Sequence, residues 1–77
     1  MNKLCDLNLG ETAKVSKLCV EGAIRRRVQD IGLIEGTDIK CVLKSPLGDP
    51  KAYEIRGAVI AIRKDDAEKI YIVNNSQ

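Results

Sequence analysis

Lys44-Ser45-Pro46-Leu47-Gly48-Asp49-Pro50-Lys51 divides two segments that each alternate like a β-strand. Neither proline donates a backbone hydrogen bond, and each restricts the residue before it to extended geometry. Gly48-Asp49 supplies the backbone freedom and the side-chain acceptor that a reversal needs. Leu47, a large apolar residue between proline and glycine, is more than a plain connection requires. It either folds back onto the core of a stiff hairpin or forms the tip of a recognition loop, because loops carry function out of proportion to their length.

On the N-terminal side of this loop, Thr37 to Lys44 reads as a strand with Ile39, Cys41 and Leu43 facing in. On the C-terminal side, Ala52 to Arg56 is the return strand. Gly57 marks a bulge or a tight reversal. Ala58 to Arg63 is apolar on both faces, Val59 and Ala61 against Ile60 and Ile62, the pattern of a central strand. Asp65-Asp66-Ala67-Glu68 has capping-box spacing and opens a single helical turn. Ile70 to Val73 closes the sheet, and residues 74–77 should fray.

Further back, Gly22 to Ile31 changes period. Ile24, Val28 and Ile31 fall on one helical stripe, and Gly32 suits the left-handed position that ends a helix. Arg25-Arg26-Arg27 occupies the complementary face, as a solvated helix surface does. Leu33-Ile34-Glu35-Gly36 is a turn. Thr12 to Leu18 alternates as a half-buried strand with Ala13 and Val15 on one side. Leu4, Leu7 and Leu9 anchor an irregular lead-in. Strands this short in so short a chain predict a mainly β fold, a small closed SH3-like barrel of five to six strands. It carries a helical insertion after the first strand and a short helix before the last. Closure would remove the edges that a small sheet cannot otherwise protect.

The 77 residues suffice for one domain, 1–77. No apolar run reaches the length of a membrane span, and the N-terminus lacks the apolar region of a secretory signal, so a cytoplasmic chain without membrane insertion is expected. Thirteen basic and eleven acidic residues leave a net charge of +2, too balanced to argue for nucleic acid. Tyr53 and Tyr71 are the only aromatics, which further disfavours base stacking. Three cysteines, Cys5, Cys19 and Cys41, form no close pair, and the absence of histidine removes both zinc-type ligand sets and the usual general base. No nucleophile motif or phosphate loop is present, so no catalytic, metal or cofactor-binding residue is assigned and no enzyme is expected.

In order and spacing, several segments resemble the ferrous iron transport protein A (FeoA) family. They are Arg26-Arg27-Val28-Gln29-Asp30-Ile31-Gly32-Leu33, Gly36-Thr37, Ser45-Pro46-Leu47-Gly48-Asp49-Pro50, Tyr53-Glu54-Ile55-Arg56-Gly57 and Ile60-Ala61-Ile62-Arg63-Lys64. The resemblance runs from Leu7 to Val73. The family often has leucine, proline and alanine where Val28, Glu35 and Ser45 stand here.

The resemblance implies a small accessory or regulatory protein of bacterial ferrous iron uptake. Its partner would be the FeoB-type membrane transporter, met at the cytosolic face or at its GTP-binding domain. Pro46, Leu47, Gly48, Asp49 and Pro50, with Arg26 and Arg27, are the candidate partner-binding residues, and self-association through Leu47 is a further expectation. Two alternatives accompany this reading. One is a direct Fe2+ carrier using carboxylate and thiol ligands. The other is a regulatory adaptor related to the SH3-like domain of iron-dependent repressors.

Overall fold

A computed structural model describes residues 2–74. Six strands form one antiparallel sheet: β1 (Asn2–Lys3), β2 (Thr12–Leu18), β3 (Asp38–Lys44), β4 (Lys51–Ile55), β5 (Ala58–Ile62) and β6 (Ile70–Asn74). Their order across the sheet is β1-β6-β2-β3-β4-β5. Helix α1 (Gly22–Asp30) follows β2, and a single turn, α2 (Lys64–Ala67), precedes β6. The expected SH3-like plan, with its inserted helix and short second helix, is therefore present. Of the segment expected to fray, Asn74 ends β6, and 75–77 lie outside the described residues.

Local sequence accounts for several boundaries. Helix α1 ends at Ile31 and Gly32, where Leu33 N–H bonds Val28 O and Gly32 N–H bonds Gln29 O. This pair of bonds is a Schellman motif, and it needs the left-handed backbone (φ +93°) that glycine supplies at Gly32. Val28 and Leu33, the positions of the motif's usual apolar contact, are both buried in the core. Ile55 pairs with Ala58 around Arg56 and Gly57, both at positive φ, so Gly57 belongs to a two-residue reversal rather than a bulge. The return strand thus stops at Ile55, and Arg56 is a turn residue.

The core gathers Leu4, Leu7, Val15, Val28, Leu33 and Ile39 with Tyr53, Ile55, Ile62 and Ile70. Each such side chain contributes roughly 1.5–3 kcal/mol by leaving water. Leu4 and Leu7 are three apart on a 3-10 turn (Leu4–Asp6), where Leu7 N–H bonds Leu4 O, so both point inward. Leu9 lies beyond that turn and is 59% exposed, contrary to the expectation that all three leucines anchor the lead-in.

Three further expectations are corrected. Leu43 is 62% exposed, because β3 carries a bulge: Cys41 faces Tyr53 while Leu43 faces Ala52. The extra residue shifts the alternation and turns Leu43 outward. Strand β5 is an end strand instead of a central one, and its Val59 is 59% exposed. Nor does the sheet close by hydrogen bonding, since β1 and β5 are its two ends among the described residues. A side chain spans the gap instead. Lys51 on β4 reaches the N-terminal turn, its ammonium donating to Cys5 O at 3.0 Å and to Leu7 O at 2.9 Å. A two-residue β1 is too short to extend such pairing along β5.

Candidate functional site

The loop between β3 and β4 begins and ends on the paired residues Lys44 and Lys51. Within it, Gly48 N–H donates to Ser45 O at 2.8 Å, closing a β-turn with Pro46 and Leu47 at its two central positions. Proline suits the first of these, because its fixed φ is already that of the turn. Ser45 N–H donates to Pro50 O at 3.3 Å, which ties the two limbs of the loop together, and the Asp49–Pro50 peptide is cis. Leu47 sits at the tip and is 94% exposed. It does not fold back onto the core.

Asp49 points the other way. Its Oδ1 accepts the backbone N–H of Lys64 at 2.8 Å, fastening the loop to the start of α2. The expected capping box at Asp65-Asp66-Ala67-Glu68 does not form. The helix begins two residues earlier, Arg63 is its N-cap without a side-chain cap bond, and the carboxylate comes from Asp49, fifteen positions before Lys64. Pro46, Leu47, Gly48, Asp49 and Pro50 therefore form one braced unit in which Leu47 is outward and Asp49 is structural.

The helix arginines divide by direction, as successive positions 100° apart require. Arg25 folds back, its Nη1 donating to Val20 O at 3.2 Å and to Leu18 O at 3.4 Å. Arg27 lines a depression of about 410 Å3 with Ala23, Ile24, Ala61, Pro50, Arg63 and Asp66. Its lining mixes apolar side chains with two arginines and one carboxylate. Pro50 and Arg27 are thus brought together, whereas Arg26 is exposed and is not among the residues lining this depression. Of the N-terminal leucines, Leu4 and Leu7 are buried and contribute nothing to the surface near Leu47.

On the inner side of the loop is a second cleft, about 220 Å3, lined by Lys44, Lys51, Lys64, Asp49, Tyr53 and Cys5 among others. Burial pushes the Cys5 thiol up, and neighbouring Asp6 adds to the effect. Burial likewise raises the Cys41 thiol, and it lifts the Tyr53 phenol well above its ordinary value. Sequence reasoning left these lysines aside. One signal was legible: Lys44 and Lys51 flank the loop symmetrically, so any hairpin places them opposite each other. The arrival of Lys64 depends on the Asp49 contact and had no local signature. Among the described residues, no three of His, Cys, Asp and Glu converge to hold a metal ion.

Fold and surface together define a small SH3-like domain that presents one braced, outward-pointing loop. The profile of the family described as "FeoA domain" matches residues 2–74, and the chain belongs to the FeoA family. It is similar to the solution structure of the FeoA protein from Chlorobium tepidum, with 35% identity and a TM-score of 0.89 over 96% of this chain and 70% of that one. The crystal structure of Stenotrophomonas maltophilia FeoA complexed with zinc, described as a prokaryotic SH3 domain protein, is 25% identical. Its TM-score is 0.80 over 95% of this chain and 91% of that one. A curated relative, the Fe(2+) transport protein A/Fe(2+) transporter FeoB fusion protein of Porphyromonas gingivalis, is 31% identical over 70 residues. That match spans 91% of this chain and 8% of the relative. No helix among the described residues is long and apolar enough to cross a membrane.

Proposed function

We propose that this chain is a cytosolic accessory and regulatory protein of bacterial ferrous iron uptake, acting as an interaction module for a FeoB-type GTP-binding transporter. The exposure of Leu47 carries the reading. An apolar side chain 94% exposed on a loop pinned by Gly48 N–H, Ser45 N–H and Asp49 Oδ1 is held out at little further entropic cost on binding. The P. gingivalis relative, in which the homologous segment and a FeoB transporter share one chain, supports the choice of partner. Leu47 docks into an apolar recess of the transporter, and the depression between α1 and β5 lies against the partner's rim. Arg27 contributes charge there and Arg26 extends it, while Pro46, Gly48, Asp49 and Pro50 hold the tip in place.

Burying one leucine in a partner is worth about 1.5–3 kcal/mol, or roughly ten- to a hundredfold in affinity. The test is the affinity of Leu47→Asp for the detergent-solubilised transporter, measured beside its melting temperature. Lost binding with an unchanged melting temperature is the expected result. Undiminished binding, or collapse of the fold, overturns the assignment of Leu47. A size change of the free protein on the same substitution would assign the tip to a second copy of this chain instead.

A further inference from the structure

The cleft behind the loop gathers more positive charge than the sheet closure by Lys51 and the Asp49 brace require. Lys44 and Lys51 are opposed across β3 and β4, and like charges in that position cost stability. Lys64 brings a third ammonium to the same lining. Against them the lining has one carboxylate, Asp49, and its Oδ1 is engaged by Lys64 N–H.

The donors are also available. Lys51 directs two of its three ammonium protons at Cys5 O and Leu7 O, leaving one. The Lys44 stem lies over Gly48, where an added Cβ would stand 3.8 Å from Lys44 Cε. Neither the Lys44 nor the Lys64 ammonium has a partner among the described residues. Tyr53 lines the cleft while its residue is 1% exposed, and its hydroxyl makes no hydrogen bond among the described residues. That hydroxyl is not among the buried polar atoms left without a partner, so it meets solvent in the cleft, where an occupant that accepts a hydrogen bond finds a donor.

We propose that this cleft is a binding site for a single phosphate group, either free or as the end of a phosphomonoester. Three lysines among the lining residues, against one engaged carboxylate, favour a doubly charged oxyanion over a carboxylate. Size agrees: about 220 Å3 is room for roughly seven waters at ~30 Å3 each, which admits one tetrahedral anion with its hydration. Since Gly48 and Asp49 form part of the wall, occupancy would also stiffen the loop that carries Leu47.

The test is a titration of the full 15N-labelled chain with sodium phosphate at constant ionic strength, with sodium chloride as reference and glycerol phosphate as a second arm. Saturable shifts are expected at the amides of Gly48, Lys51, Tyr53 and Lys64. Lys44→Gln and Lys64→Gln should each weaken binding about tenfold, the effect of removing one charge-assisted hydrogen bond. Lys14→Gln, whose ammonium pairs with Asp38 elsewhere, should change nothing. Saturation by both ligands identifies a site for phosphate free or esterified, and saturation by phosphate alone narrows it to the free ion. Linear shifts matching chloride, or binding indifferent to both cleft variants, overturn the proposal. Neither outcome bears on Leu47, because the docking test is run without phosphate.

Discussion

The Asp49 carboxylate and the Lys64 backbone amide, 2.8 Å apart, join the loop after β3 to the helix before β6. One acidic side chain thus serves two elements. It satisfies an N–H that α2 cannot satisfy itself, and it fixes the limb of the loop opposite Leu47. Asp49→Ala should cost about 1 kcal/mol, the usual loss for an N-terminal helix acceptor. Amide exchange should quicken at Lys64 and at Gly48 together. Faster exchange at Lys64 alone would show that the loop is braced by its own turn.

Gly32 meets Arg56 across the fold. A Cβ at Gly32 would lie 2.6 Å from Arg56 Cδ, and the backbone there is at φ +93°. Gly32→Ala therefore combines a left-handed penalty of about 1–2 kcal/mol with displacement of the Arg56 side chain. Adding Arg56→Ala should recover the steric part and leave the backbone part, which a double-mutant cycle in urea reads directly.

Lys51 replaces the missing hydrogen-bonded closure of the sheet. Lys51→Met keeps the stem but leaves the carbonyls of Cys5 and Leu7 without their ammonium donor. A loss of about 1–3 kcal/mol is expected. Protection from exchange should fall first in β1 and the 3-10 turn, while β2 and β3 retain theirs. Uniform loss across the sheet would mean that the N-terminal turn is integral to cooperative folding.

Alkaline pH should destabilise the chain. Burial raises the Tyr53 phenol and the Cys41 and Cys5 thiols above their ordinary values, so the folded state keeps protons that the unfolded state releases. Their contribution is complete below the unfolded values of about 8.5 for thiols and 10 for phenol, and it is lost as pH climbs above them. Urea midpoints should be level near pH 7 and fall from about pH 9 upward. Tyr53→Phe should flatten the portion above about pH 10, and an unchanged slope in that variant would assign the loss to the thiols.

What the sequence determined by itself was local. The alternation in Thr12–Leu18, the stripe of Ile24, Val28 and Ile31, and Gly32 after the helix each report a neighbour within a few positions. Such short-range patterns need no knowledge of the rest of the chain. The Pro46–Pro50 loop was legible as a stiff reversal for the same reason. Its turn, however, centres on Pro46 and Leu47 instead of Gly48-Asp49, and the Asp49 carboxylate read as a local acceptor binds the distant Lys64 N–H.

The tertiary structure alone decided what depends on pairing. One extra residue in β3 turned Leu43 to solvent, though its alternation with Ile39 and Cys41 read as inward. Apolar residues on both faces of β5 suggested a central strand, yet strand order set it at an end, and composition does not encode order. Leu47 was balanced between core and tip until its turn was closed by Gly48 N–H to Ser45 O. The lysine cleft arises only where β3, β4 and α2 meet, because Asp49 and Lys64 are distant in sequence and adjacent only after folding.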